Sequence, residues 1–85
     1  MIVHLHKNFK KHYKKLTEYQ KRKFKERRDL FIQDEFDPVL NNHALKGEYQ
    51  GYRSINITGD LRAVYKREAE DVIFVTIDSH SNLYG

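Results

Sequence analysis

Two histidines in the C-terminal half stand where acid–base chemistry could be done. His43 lies in His43-Ala44-Leu45-Lys46-Gly47, and His80 in Asp78-Ser79-His80-Ser81-Asn82-Leu83-Tyr84-Gly85. An imidazole with an ordinary pKa near ~6.5 can give or take a proton at neutral pH, and cleavage of an RNA strand by its own 2′-hydroxyl needs both transfers. Either histidine alone is more often an exposed or capping residue, so these two do not by themselves make the chain an enzyme. His4 and His6, two apart on one strand face, could ligate a metal with His12 as a third ligand, but no carboxylate or cysteine completes the set at a convincing spacing. The glycines fall singly and build no phosphate-cradling loop. No metal and no other cofactor is expected.

These residues need a scaffold, and the hydrophobic pattern supplies one. Met1–His6 alternates, with Val3 and Leu5 on one side, and reads as a strand. Asn8 can cap a helix with Phe9, Tyr13 and Leu16 along one stripe. Thr17 with Gln20 has capping-box spacing and predicts a second helix from about Glu18 to Phe36, ended by Asp37-Pro38. Its stripe is thin, Phe24 and Phe31 with the stem of Arg28 between, so that helix must lean on tertiary packing. A connection over 39–51, punctuated by Gly47 and Gly51, leads to strands Tyr52–Ile57, Leu61–Arg67 and Val72–Asp78, joined by turns at Thr58-Gly59-Asp60 and near Glu68–Asp71. The expected fold is α+β, in the order βααβββ. A single domain spanning 1–85 would pack two N-terminal helices on one face of a small antiparallel sheet.

Alternation along the strands sorts residues by face. Ile55 and Ile57 point one way, leaving Tyr52, Ser54 and Asn56 on the other. Leu61, Ala63 and Tyr65 form the buried set of the next strand, with Arg62, Val64 and Lys66 opposite. In the last strand Ile73, Val75 and Ile77 are expected inside, and Phe74, Thr76, Asp78 and His80 outside. The polar face then gathers Asn56, Arg62 and His80, as any half-exposed sheet would sort its polar residues.

Charge is divided along the chain. Residues 1–28 carry 11 Lys/Arg against Glu18 and Glu26, whereas residues 29–85 carry 5 against 10 acids, within a net charge of +4. A basic segment interleaved with Phe9, Tyr13, Tyr19 and Phe24 suits a phosphate-rich partner, and equally suits a solvated lysine-rich helical face. There is no cysteine, hence no disulfide framework or thiolate site. The longest apolar run, Val72–Ile77, is far short of the roughly 20 residues that span a bilayer, and the N-terminus lacks a signal-peptide core, so a soluble cytoplasmic protein without membrane contact is expected. At 85 residues the chain is too short to enclose a large cavity.

The ordered pieces His43-Ala44-Leu45-Lys46-Gly47, Gly51-Tyr52-Arg53-Ser54, Gly59-Asp60-Leu61-Arg62-Ala63-Val64-Tyr65 and Ser79-His80-Ser81-Asn82-Leu83-Tyr84-Gly85 resemble the RelE/YafQ family of toxins. The ending points to the YafQ branch. The resemblance implies the toxin of a type II toxin–antitoxin pair, a ribosome-dependent, metal-independent endoribonuclease that cuts mRNA in the decoding site. It also implies a cognate antitoxin that neutralises the toxin, with operator DNA bound only indirectly, through that complex. Carried over by position, His80 matches the C-terminal catalytic histidine and His43 the histidine before the small-leucine-glycine motif. Asp60 matches a required aspartate, Arg62 a phosphate-stabilising arginine of other branches, and Tyr84 an aromatic that contacts substrate. His80 is then the expected general acid, and His43 or Asp60 the base or its orienting group. Asn56, Arg53 and Lys66 are expected to bind substrate, and Lys10, Lys11, Lys14, Lys15, Lys21, Arg22, Lys23 and Lys25 to grip ribosomal RNA. The sequence departs from YafQ at Asn56, where that branch has a histidine, because an amide cannot shuttle a proton at neutral pH. A gyrase-inhibiting ParE-like toxin and a catalytically idle, antitoxin-binding RNA-binding member are the alternatives.

Overall fold

The computed structural model describes residues 1–84; Gly85, the last residue of the C-terminal motif, lies outside the described residues. Strand β1 (Val3–Leu5) leads into helices α1 (Lys7–Tyr13) and α2 (Glu18–Gln33), followed by the two-residue strand β2 (His43–Ala44). Strands β3 (Arg53–Asn56), β4 (Leu61–Glu68) and β5 (Asp71–Ser79) run on into the short helix α3 (His80–Tyr84). The fold is α+β, as expected, with the helical pair ahead of the three-stranded meander.

The sheet has five strands in the order β1-β5-β4-β3-β2. It is mixed rather than antiparallel throughout, because β1 lies parallel to β5 with Val3 opposite Val72 and Leu5 opposite Phe74. A parallel pair needs a long crossover. Here α1, α2 and the returning meander provide it, placing the first strand beside the last. Strand β2 adds a fifth, edge strand within what the sequence showed only as a connection, with His43 opposite Ser54.

Both helix starts are made by side chains. Thr17 Oγ1 accepts from Gln20 N at 3.1 Å and Gln20 Oε1 accepts from Thr17 N at 2.9 Å, the reciprocal box the spacing predicted. For α1 the cap is His6 rather than Asn8: His6 Nδ1 accepts from Asn8 N at 3.1 Å, so the helix begins two residues earlier. Helix α2 ends at Gln33, three residues short of Phe36, where Asp34 turns extended and its carboxylate takes the Phe36 N–H.

The thin stripe of α2 suffices because one ring collects the others. Phe74 lies 5.9, 5.6, 5.5 and 5.5 Å, centroid to centroid, from Phe9, Phe24, Phe31 and Tyr65, the spacing of tilted and edge-on aromatic pairs. Phe74 is therefore inside, contrary to the alternation read from the sequence. The cause is a β-bulge. Val64 pairs with Thr76 but Tyr65 pairs with Phe74, so Val75 is an extra residue on β5 and the faces exchange there. Before the bulge Val72 and Phe74 join the core; after it Ile77 does, leaving Ile73 and Val75 on the open face.

Candidate active site

The open face ends in a row of directly opposed residues, Asn56 on β3, Arg62 on β4 and Asp78 on β5. Just beyond this row the β3–β4 turn meets the C-terminal helix, where His80 N donates to Asp60 O at 2.8 Å. Ser79 caps α3, its Oγ accepting from Asn82 N at 3.1 Å, and Asp78 Oδ1 accepts from Ser79 N at 2.7 Å and Asn82 Nδ2 at 3.0 Å. One turn along, Tyr84 meets the His80 ring edge to face, with centroids 4.8 Å apart. His80 thus belongs to a capped helical turn rather than a strand-like tail. That turn follows Ile77 in the core, whereas Ile73 and Val75 lie on the other face.

Arg62 is held by its own turn. Its Nη1 donates to Thr58 O at 3.0 Å and Leu61 O at 3.2 Å, and its Nη2 to Gly59 O at 3.2 Å. A guanidinium has five N–H groups, so Nε–H and one Nη2 hydrogen are left for an incoming anion. Asn56 contributes a buried Oδ1 that has no hydrogen-bond partner among the described residues, as does the Ser54 hydroxyl. Asp60 is exposed beside this turn.

His43 lies at the far side of the same face, exposed on β2. Its Nδ1 meets Asn41 O at 2.9 Å; a carbonyl only accepts, so Nδ1 carries the proton and Nε2 of the neutral ring presents its lone pair. Three interstrand steps separate β2 from β5, on the order of 14 Å along the sheet. His43 and His80 therefore flank the face from its two sides.

The register brings together His80, Tyr84, Asp60, Arg62 and Asn56, and sets Arg53 apart. Arg53 stands opposite Tyr65, which is in the core, so it faces the helices rather than the open face. There its Nε donates to Asn42 Oδ1 at 2.7 Å and its guanidinium lies over Phe36, with Cζ 5.3 Å from the ring centroid. Asn42 also donates to Tyr65 Oη at 2.7 Å, and Tyr65 donates to Glu35 Oε2 at 2.7 Å, while Arg67 pairs with the same carboxylate. Burial, then the bond to Glu35, pushes the Tyr65 phenol up to about 12. Arg53 is part of this structural network, which ties the segment following α2 to the sheet and to the segment that carries His43.

Lys66 lines a groove of about 440 Å³ elsewhere on the open face. Ile73 and Val75 form its floor, and the half-buried Tyr49 and Tyr52 stand in its wall. Sequence reasoning passed over Tyr49, gave Asp78 a face but no role, and weighed His12 only as a metal ligand. His12, half-buried on α1, meets Ile77 O at 3.2 Å and Thr76 Oγ1 at 3.3 Å, with Asp78 3.9 Å away. Aromatic residues two and five positions beyond Gly47, and an aspartate two before His80, were the available signals.

The N-terminal histidines do not converge. His4 pairs with Asp71 at 3.4 Å, His6 caps α1, and His12 sits at the β5 edge. Among the described residues no group of three His, Cys, Asp or Glu side chains could hold a metal ion. No helix among them is long and apolar enough to cross a membrane. The basic residues lie along α1, the turn after it and α2. Lys10, Lys11, Lys14, Lys15, Arg22 and Lys25 are exposed, whereas Lys21 and Lys23 pair with Glu18 at 3.7 Å and Glu26 at 3.2 Å.

The fold has known relatives. The family model described as the bacterial toxin of type II toxin–antitoxin system, YafQ, matches residues 1–85. The crystal structure of E. coli YafQ is 24% identical with a TM-score of 0.77, covering 99% of this chain and 98% of that one. The toxin in an E. coli DinJ–YafQ toxin–antitoxin complex is 25% identical with a TM-score of 0.74, covering 99% and 97%. A YoeB/ParE toxin from Agrobacterium tumefaciens is 20% identical with a TM-score of 0.75, covering 94% and 99%. No curated protein sequence matches the chain significantly.

Proposed function

Because the chain belongs to the YafQ family of type II toxin–antitoxin toxins, we propose that it is a ribosome-dependent endoribonuclease that cuts mRNA in the decoding site by attack of the substrate's own 2′-hydroxyl. The observation that carries this reading is the joining of His80, Asp60 and Arg62 at one end of the open face, through the 2.8 Å bond from His80 N to Asp60 O and the turn that Arg62 closes.

In this mechanism the strand lies across the open face with a phosphate at Arg62. The 2′-oxygen attacks phosphorus in line as its proton leaves, the bond to the 5′-oxygen breaks, and the products are a 2′,3′-cyclic phosphate and a 5′-hydroxyl. His80 protonates the leaving 5′-oxygen. His43 Nε2 accepts the 2′-hydroxyl proton from the opposite side, and Asp60 holds the His80 end in register. The two remaining Arg62 N–H groups stabilise charge on the five-coordinate phosphate, a kind of interaction worth about 2.7–4 kcal/mol for one donor in a well-studied site. Tyr84 stacks on a base, Asn56 and Lys66 contact the strand, and the exposed lysines of α1 grip ribosomal RNA. The chain works in the cytoplasm, where ribosomes are, and is silenced by a cognate antitoxin, as the DinJ–YafQ complex suggests; operator DNA is reached only through that pair.

A translation extract tests this. Site-specific mRNA cleavage is expected, together with resistance of an mRNA carrying a 2′-methoxy sugar at the cut position and retained activity in a chelator that spares the ribosome. Efficient cutting of the methoxy substrate overturns the nucleophile. A block in DNA supercoiling with intact mRNA would instead support gyrase inhibition, and neither effect would leave an idle antitoxin-binding module.

A further inference from the structure

The groove over Ile73 and Val75 is not needed for phosphate chemistry, yet it encloses about 440 Å³ on the open face. That lies within the size range of small-molecule pockets. Tyr49 and Tyr52 meet edge to face in its wall, 6.1 Å between centroids, and Lys66 Nζ stands 5.9 Å from the Tyr52 ring centroid. Two carboxylates, Glu48 and Glu68, lie on its rim against a single ammonium, Lys66, which Glu68 already engages at 3.4 Å. That balance repels a phosphate. It suits a flat, uncharged ring that donates hydrogen bonds.

We propose that this groove is a nucleobase subsite, in which Tyr49 and Tyr52 present stacking surfaces and Glu48 and Glu68 accept from the exocyclic amine of adenine, cytosine or guanine. Uracil has no such amine and offers mainly carbonyl acceptors, which face the two carboxylates unfavourably. A third interaction comes from His6. Its Nδ1 accepts from Asn8 N at 3.1 Å, so in the neutral ring Nε2 carries the proton and can donate to a ring nitrogen such as adenine N7.

The groove shares strands β4 and β5 with the candidate active site: Thr76, which lines it, is two residues along β5 from Asp78, and Asp78 stands opposite Arg62. An RNA strand with its scissile phosphate at Arg62 would therefore deliver a neighbouring base here. The inference rests on the reading of RNA as substrate, and it adds base selectivity to a site otherwise built around the backbone.

The test uses the intact chain with 2′-O-methyl trinucleotides of adenine and of uracil, which bind without being cut. Affinity is read by titration, with amide and ring chemical shifts locating the site. The adenine trimer is expected to shift Tyr49 and Tyr52 and to bind about tenfold more tightly than the uracil trimer, the scale of one stacked and hydrogen-bonded base. Tyr49→Ala with Tyr52→Ala should abolish that difference, Tyr49→Phe with Tyr52→Phe should keep it, and Glu48→Gln with Glu68→Gln should narrow it. Equal binding of the two trimers, or shifts confined to the basic helices, would overturn the subsite and leave the groove to a protein partner. Base binding without mRNA cleavage in the extract would remove the nuclease reading and keep the subsite. Cleavage at an unchanged rate by the folded Tyr49→Ala, Tyr52→Ala variant, with unchanged trimer binding, would do the reverse.

Discussion

His80 and Arg62 sit side by side in the proposed mechanism, yet their substitution should have different signatures. His80 is exposed, and among the described residues its ring meets one aromatic neighbour, Tyr84, itself on the surface. His80→Ala should therefore shift stability by no more than about 0.5 kcal/mol, as surface substitutions do, while turnover on ribosome-bound mRNA falls about 10²–10⁴-fold. Urea unfolding beside single-turnover cleavage checks both; a cleavage rate within about threefold of the parent would withdraw the general-acid role. Arg62 serves three turn carbonyls as well as the proposed phosphate. Arg62→Ala should lose both, with stability falling by about 1–2 kcal/mol alongside the loss of turnover, because several hydrogen bonds to a charged donor disappear together. Unchanged stability would show that the turn does not depend on it.

Among the elements, the network between the segment following α2 and the sheet offers a titration. The Tyr65 hydroxyl bridges Glu35 and Asn42, and its pKa stands at about 12 against the ordinary value of 10.0. A phenol whose folded-state pKa is raised stabilises the fold fully below the unfolded value and loses that contribution as pH rises from about 10 to about 12. The parent should therefore lose stability across that window more steeply than Tyr65→Phe, measured by urea unfolding at a series of pH values; parallel curves would show that Tyr65 ionises without linkage to folding. How much of these elements was legible depended on distance along the chain. Thr17 and Gln20 announce α2 because a capping box is closed within one turn. The partner of β1 could not be read, because a parallel register such as Val3 with Val72 is decided by what the helices bury, not by local pattern. The bulge at Val75 was equally silent. Alternation assumes an unbroken period of two, and one extra residue turned Phe74 inward and left Ile73 and Val75 to floor the groove. Of the candidate site, His43, Asp60, Arg62, His80 and Tyr84 were visible because they lie in motifs. Arg53 was assigned to substrate because its motif says nothing of face; its odd-numbered position alongside Ile55 and Ile57 sends it toward the helices.

For the molecule as a whole, the uneven charge of the sequence becomes an uneven surface. The proposed chemistry occupies the open face of the sheet, while the basic residues lie on the helices and the turn between them, so RNA can be gripped by one part and cut by another. The cations are not equivalent, however. Lys10, Lys11, Lys14 and Lys15 are exposed and have no ion pair among the described residues. Lys21 and Lys23 are already matched to Glu18 and Glu26, and Lys21 Nζ lies 5.8 Å from the Tyr13 ring centroid. A lysine neutralised within its own helix displaces fewer counterions when RNA arrives, so it contributes less to the salt dependence of binding. Replacing Lys10, Lys11, Lys14 and Lys15 with glutamine should weaken ribosome association and flatten the slope of log affinity against log salt by about 3, at roughly 0.7–0.9 for each phosphate no longer neutralised. Replacing Lys21 and Lys23 should change that slope by less than a single phosphate would, roughly 0.7. Both variants should remain folded, since the first set is exposed and the surface pairs of the second contribute about 0–1 kcal/mol each. Sedimentation with ribosomes across a salt titration separates the two sets, and slopes lowered equally for each lysine removed would mean that ribosomal RNA reads the total charge of the helices rather than the free lysines of α1 and its following turn.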